Sequence, residues 1–188
     1  MSRPSETPWK PTRGQVAGAA GATVPDVVAP GLRVLFVGIN PGLYSGAVGH
    51  HFARPGNRFW KALAAAGFTD RVLSPFEERL LLAAGLGITN IVDRATASAG
   101  ELTPDELHTG AHGLERKVRR LQPATVAFLG LGAYRTAFGR PRAVAGPQEV
   151  LLAGASVWLL PNPSGLNAHH QLDDLANAFR SLREATEG

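Results

Sequence analysis

The chain of 188 residues contains no cysteine. This absence excludes disulfide bonds, thiolate zinc sites, cysteine nucleophiles and iron–sulfur clusters. No apolar run approaches the roughly 20 residues that a membrane-spanning helix needs, and the N-terminus has no charged start followed by an apolar stretch, as a secretion signal would have. These absences favour a cytoplasmic protein that has no membrane partner.

Lysine is also scarce. It occurs only at positions 10, 61 and 117, so most of the nineteen basic residues are arginines, and the formal net charge is +4. Arginine suits bidentate contacts with phosphate better than lysine does, but an arginine-rich composition also follows from GC-rich codon usage. The charge is therefore compatible with a nucleic-acid partner and does not by itself establish one.

The order of the predicted elements indicates one α/β domain over residues 24–188. Residues 1–23 are rich in small residues and proline and are predicted to form a flexible N-terminal extension. Apolar runs predict strands over 32–38, 87–92, 124–129, 149–152 and 156–160, the last two as a hairpin. Helical patterns cover 55–66, 74–85, 103–120, 130–138 and 171–184. Strands that alternate with helices predict a mostly parallel sheet between helical layers.

Two loops that follow predicted strands share a pattern. Segment 40–42 (Asn-Pro-Gly) follows the first strand, and segment 162–165 (Asn-Pro-Ser-Gly) follows the last. Each places an amide side chain before a proline and a glycine-containing turn, although Asn-Pro is also a common start of an ordinary turn. Because the carboxyl ends of parallel strands share one edge of a sheet, both loops are predicted to line the same cleft.

Three segments resemble the uracil-DNA glycosylase superfamily: GINPG at 38–42, HFARPGNRFWKAL at 51–63 and LPNPSGLN at 160–167. Within it they are most similar to the mismatch-specific (G:U/G:T) glycosylases related to thymine-DNA glycosylase, and the resemblance covers about residues 26–183. It implies a three-layer α/β/α sandwich. It also implies an enzyme that flips uracil out of double-stranded DNA, best from a G:U mismatch, and hydrolyses its N-glycosidic bond. The abasic product would enter base excision repair, and we expect a monomer without a cofactor.

The resemblance assigns the region of the first loop to the flipped base. Asn40 would hold the attacking water through its side-chain oxygen, but an amide cannot take a proton as a general base. Phe52 would stack on the base, although it could equally be a core phenylalanine, and N–H groups near Ile39 would donate to uracil oxygens. The other residues assigned to the base and the adjacent phosphate are Gly38, Pro41, Gly42, Tyr44, Ser45 and Asn162.

The resemblance assigns the second loop to the DNA. Leu166 would be the apolar wedge that fills the vacated position in the base stack, and the backbone at Gly165 and Ala168 would face the widowed guanine. Small members of the superfamily carry an arginine near position 168, and a histidine at 169 or 170 is the candidate substitute here. The complete set of expected DNA contacts is Ser164, Gly165, Leu166, Asn167, Ala168 and His169.

Asp93 follows the second predicted strand and is the one carboxylate at a strand tip on the predicted catalytic edge. Because Asn40 cannot act as a base, we hypothesise that Asp93 supports or supplies that function. An ion pair with Arg94, or a cap on the loop, is the alternative interpretation of this residue.

Other chemistries have weaker signals. His108 and His112 have the i, i+4 spacing of a zinc pair, but no third ligand is apparent, so no metal site is expected. A β-lyase needs an amine nucleophile, and the three lysines lie in the tail, in a helix body and at a helix end, which favours a monofunctional enzyme. Residues 130–132 (Gly-Leu-Gly) resemble part of a dinucleotide fingerprint, but Arg135 stands in place of the third glycine. The alternative function is thus a non-catalytic nucleotide- or nucleic-acid-binding α/β domain.

Overall fold

The computed structural model describes residues 7–165 and 171–187. The strands are β1 (Val34–Gly38), β2 (Leu86–Asn90), β3 (Thr125–Leu129), β4 (Gly146–Leu152) and β5 (Ala155–Leu160). The α-helices are α1 (Arg13–Ala17), α2 (Leu43–Val48), α3 (Phe59–Ala65), α4 (Pro104–Leu121), α5 (Leu131–Ala137) and α6 (Leu172–Thr186). Two 3₁₀ helices span Pro75–Ala84 and Ala99–Glu101. No helix within the described ranges has the length and apolar character required to span a membrane.

The five strands form one sheet in the order β2-β1-β3-β5-β4. Strands β2, β1, β3 and β5 are parallel to one another. Strand β4 lies at the edge of the sheet and pairs antiparallel with β5. Every residue of β1, β2 and β3 is buried, which is why these strands read as continuous apolar runs in the sequence. The predicted mostly parallel sheet and the terminal hairpin are therefore confirmed.

Two separate cores cover the two faces of the sheet. On one face, Phe36 of β1 contacts Phe59 of α3 and Phe179 of α6, with ring centroids 5.5 and 5.8 Å away. On the other face, Leu114 of α4 belongs to the cluster that contains Phe128 of β3. Helices on both faces of one sheet give the three-layer α/β/α sandwich that the sequence predicts.

The predicted helix starts depend on local capping. Thr103 accepts the N–H of Glu106 at the start of α4, and the Glu106 side chain accepts the N–H of Thr103 in return. Ser74 and Glu77 form the same reciprocal pair at the start of the predicted helix 74–85, but the segment that follows is a 3₁₀ helix of 10 residues. Its end at Gly85, which has φ of 69°, agrees with the sequence.

Two elements near the N-terminus differ from the prediction. Part of the stretch that we expected to be a flexible extension forms α1 and then packs on the domain. The N–H of Gly21 donates to the carbonyl of Ala95 at 2.9 Å, and the N–H of Ala95 donates to Ala22 at 2.8 Å. These residues are small, so the backbones approach closely without the apolar periodicity that would have revealed the contact. Helix α2 was also missed because it has only six residues.

Candidate active site

A cavity of about 320 Å³ opens at the carboxyl ends of the parallel strands. It joins the loop after β1 to the loop after β5, as the shared Asn-Pro pattern predicts. The residues of the sequence-predicted set that line it are Gly38, Ile39, Asn40, Pro41, Gly42, Ser45, Phe52, Asn162 and Ser164. Residues outside the sequence-predicted set also line it, among them His51, Arg54, Asn57, Asn90, Thr96 and Ser98.

The side chain of Asn40 is held by the loop that follows β2. Its Nδ2 donates to the carbonyl of Arg94 at 2.9 Å and to Oγ1 of Thr96 at 2.7 Å. The Thr96 hydroxyl in turn donates to the carbonyl of Ser98 at 2.8 Å. Because Nδ2 makes these contacts, Oδ1 is the atom of the amide that remains to accept a hydrogen bond in the cavity. Thr96 thus acts as the support of Asn40.

The ring of Phe52 forms one side of the cavity and stacks on Phe59, with centroids 4.2 Å apart and planes 28° apart. Its backbone has φ of 52°, a left-handed conformation that is uncommon for a residue with a side chain. Gly38 lies beneath it. A Cβ at Gly38 would stand 3.3 Å from the Phe52 ring and 2.4 Å from Oδ1 of Asn90. A glycine at position 38 therefore lets both groups approach the end of β1.

His51 orients the amide of Asn90. Its Nε2 lies 3.0 Å from the carbonyl of Pro25, and since a carbonyl only accepts, Nε2 carries the proton. Burial lowers the pKa of His51, which keeps the ring neutral. Its Nδ1 is then an acceptor that faces Nδ2 of Asn90 at 3.5 Å, a long contact. This arrangement directs Oδ1 of Asn90 toward Gly38 and the cavity.

The loop after β5 is fastened to the segment before α3. The N–H of Arg58 donates to the carbonyl of Pro163 at 3.0 Å, and Nη2 of Arg58 donates to the carbonyl of Ser164 at 2.7 Å. Within the loop, Oδ1 of Asn162 accepts the N–H of Ser164 at 2.9 Å. The structure therefore holds Ser164 at the cavity. The other predicted DNA contacts, Leu166, Asn167, Ala168 and His169, lie outside the described residues, whereas Gly165 packs closely against Gly56.

Besides Gly165, two described residues of the sequence-predicted set do not line the cavity. Tyr44 lies on α2 and is half-buried there. Asp93 is exposed and lines a second cavity, of about 500 Å³, beside α4. Its expected partner Arg94 instead bonds to Glu106 at 2.5 Å, and this hydrogen bond lowers the pKa of Glu106 to about 2. Among the described residues that line the first cavity, none is a carboxylate.

His108 and His112, which have the spacing of a zinc pair, are exposed on α4. Across residues 7–165 and 171–187, no group of three or more histidine, cysteine, aspartate or glutamate side chains could hold a metal ion. Of the site residues that sequence reasoning missed, Asn90 carried a signal, because it is a polar residue at the carboxyl end of an apolar strand. His51 opens the segment 51–63 that carries the resemblance, but its contacts with Pro25 and Asn90 were not predictable from it. Thr96 carried no signal, since its role depends on a contact with a distant segment.

Comparison with known proteins agrees with this architecture. The family model of the uracil DNA glycosylase superfamily matches residues 25–184. Among solved structures, the solution NMR structure of a "putative Uracil DNA glycosylase" from Methanosarcina acetivorans is similar to this chain, with a TM-score of 0.57 and 18% sequence identity. The similarity covers 87% of this chain and 98% of that chain. At this identity the structural likeness shows a shared fold.

Proposed function

The chain belongs to the uracil DNA glycosylase superfamily, and from this premise we propose that it is a monofunctional glycosylase that hydrolyses the N-glycosidic bond of uracil flipped out of DNA. The observation that carries the proposal is the convergence of Asn40, Phe52 and Asn90 in one cavity at the carboxyl edge of the sheet. These three side chains supply a water acceptor, an aromatic face and an acceptor for the edge of a base.

Recognition of uracil follows from the orientation of Asn90. Its Oδ1 can accept the N3–H of uracil, whereas cytosine presents an acceptor at N3, so that cytosine is left without this hydrogen bond. The Phe52 face offers a flat apolar surface for the ring of the base. N–H groups of the loop after β1, near Ile39, can donate to the uracil oxygen that gains charge as the glycosidic bond breaks.

Water attack is assigned to Asn40. Oδ1 of this residue orients a water toward C1′, while Thr96 and the carbonyl of Arg94 keep the amide from rotating. Neither Asn40 nor Thr96 can take the proton at neutral pH. Catalysis therefore depends on stabilising the departing uracil anion and the positive charge on the sugar rather than on a strong base.

A preference for G:U pairs has a physical basis in base extrusion. Flipping a nucleotide costs a few kcal/mol, and least where the base is mispaired. Ser164 at the cavity and the exposed Arg54 at its rim lie where they can contact phosphates of the flipped strand.

No lysine stands among the described residues that line the cavity, which supports hydrolysis without a covalent amine intermediate.

The test is excision from an end-labelled duplex that carries one G:U pair, followed by alkali treatment. We expect alkali-dependent strand breakage at the uracil without added cofactor, and slower breakage when uracil is paired with adenine. Duplexes with G:C or G:T at the same position measure specificity. Saturable binding of the G:U duplex without an abasic site would contradict the proposal and support a non-catalytic nucleic-acid-binding domain.

A further inference from the structure

A buried carboxylate that takes no part in the steps above lies on the 3₁₀ helix Pro75–Ala84. Glu78 is only 4% exposed. Its Oε1 lies 2.8 Å from Nδ1 of His50, and its Oε2 accepts the N–H of His51 at 2.8 Å. A carboxylate is costly to bury unless hydrogen bonds or an ion pair compensate it. Both oxygens of Glu78 are used in this way, and both act on the same turn.

That turn leads directly into Phe52, whose left-handed backbone conformation is strained. Such a conformation persists only where the surrounding structure holds it, and it occurs most often at functional sites. Hydrogen bonds to the peptide groups on either side of Phe52 must therefore hold its backbone in this conformation.

Three hydrogen bonds provide these restraints. Glu78 holds the N–H of His51, and Nε1 of Trp60 donates to the carbonyl of His51 at 3.3 Å. On the other side of Phe52, Oγ of Ser45 accepts the N–H of Ala53 at 3.0 Å. Glu78 is the charged member of this set, and it belongs to an element that does not line the cavity.

We propose that Glu78 is a positioning residue that holds the Phe52 ring in place for stacking on the flipped base. The inference rests on the proposed function, since it assigns Glu78 a part in the same site. The carboxylate fixes the turn at His50 and His51, the turn holds Phe52 in its left-handed conformation, and the ring then lies against Gly38 and Phe59.

The effect of losing Glu78 follows from this chain of contacts. Without the carboxylate, the N–H of His51 is released and the backbone at Phe52 can relax to a negative φ. The ring then leaves its position beside Gly38. A displacement of about 1 Å in a reacting or positioning group can cost about 100-fold in rate. We expect Glu78→Ala to slow single-turnover uracil release about 10- to 100-fold, with binding of an undamaged duplex changed by less than about threefold.

A double-mutant cycle with Phe52→Ala separates positioning from general stability. Single-turnover rates on the G:U duplex are measured for Glu78→Ala in both backgrounds, at a temperature below the Tm of every variant. We expect the large loss with Phe52 present and little further loss once the ring has been removed. The matched control is Leu81→Ala, a buried residue of the same 3₁₀ helix. Its effect on the rate should be the same factor in both backgrounds.

If Glu78→Ala lowered the single-turnover rate by the same factor with Phe52 present and in the Phe52→Ala variant, the inference would be overturned. Glu78 would then have only a structural role. If Glu78→Ala does not fold, the same cycle with Glu78→Gln decides. Glutamine keeps an oxygen for the N–H of His51 but loses the charge opposite His50, so a smaller but measurable coupling supports the inference, and its absence overturns it. A folded wild-type protein that releases no uracil overturns the proposed function and this inference together.

Discussion

The two Asn-Pro loops have the same dipeptide at the same edge of the sheet, yet their amides are used in opposite ways. Asn40 uses its nitrogen on the loop after β2, which leaves Oδ1 for the cavity. Asn162 uses its oxygen on the N–H of Ser164, two residues further along the same loop. The first arrangement presents an acceptor to a ligand, and the second is an ordinary side-chain turn that shapes a loop. A repeated motif thus indicates a shared location but not a shared role.

Apart from the loss of the Asn40 side chain itself, crowding at Gly38, beside the first loop, should have the largest effect on uracil release. Gly38→Ala would place a Cβ 2.4 Å from Oδ1 of Asn90 and 3.3 Å from the Phe52 ring, so both groups that we propose to bind the base must shift. We expect uracil release to fall by about 100-fold or more. Single-turnover kinetics measure this, with thermal unfolding as the control for stability. Near wild-type rates in the Gly38→Ala variant would show that Asn90 and Phe52 do not need their present positions.

A substitution in the second loop should reduce activity less than one at Gly38, and a conservative substitution at the same position should restore part of the loss. Asn162→Ala removes the acceptor for the N–H of Ser164, and a loss of about tenfold is expected, chiefly in affinity for DNA. Asn162→Ser keeps a neutral side-chain oxygen that can accept the N–H of Ser164 and should restore part of the affinity for DNA. Fluorescence anisotropy with a G:U duplex measures the affinity. If the serine variant binds as weakly as the alanine variant, the turn does not account for the role of Asn162.

Acidification should affect the region of the first loop through His51. The pKa of His51 lies below its usual value of 6.5 because the ring is buried, so the unfolded chain binds the proton more readily than the folded one. Destabilisation therefore begins as the pH falls below about 6.5 and grows until the folded pKa is reached. Protonation of the folded protein also removes the acceptor that orients Asn90, so uracil release should decline a few-fold as the pH falls through the folded-state pKa, which is lower than the pH at which destabilisation begins.

The measurement is a series of single-turnover rates and Tm values between about pH 5 and 8, the range in which histidine titrates. His51→Gln should flatten the acidic decline in both quantities. His112→Gln, which alters an exposed histidine on α4, should leave the wild-type profile unchanged. An unaltered profile in the His51 variant would assign the titration to another group.

The smallest effect is expected at Asp93. Its side chain is exposed and lines the cavity beside α4, so Asp93→Ala should keep uracil release within about threefold of the wild type. Rates on the G:U duplex test this at saturating enzyme. A loss as large as that of an Asn40 variant would support the hypothesis that Asp93 supports or supplies the base.

The framework of the site could be predicted because its signals are local. Buried parallel strands read as apolar runs, and the Asn-Pro loops mark their carboxyl ends. Side-chain placement beyond the strand ends could not be predicted in the same way. Asn90 is the last residue of β2 and lines the first cavity. Asp93 lies past the end of the strand, where the alternation of strand side chains no longer applies, and it lines the cavity beside α4.

The remaining site residues depend on long-range contacts. Thr96 matters because it bonds to a residue 56 positions away, and Glu78 acts on a backbone group 27 positions away. Neither relation leaves a periodic or compositional signal. The packing of residues 12–23 on the domain was missed for a similar reason, because close contact between small residues has no apolar pattern.

The central claim is that the cavity around Asn40 cleaves the glycosidic bond. Its most direct test compares wild type and Asn40→Ala in the single-turnover release of uracil from a G:U duplex, with duplex affinity measured in parallel. The account predicts a loss of about 100- to 1,000-fold in rate with affinity changed by only a few-fold, the scale seen when one group that stabilises a transition state is removed. Equal rates for the two proteins, or a loss fully explained by weaker binding, would contradict it.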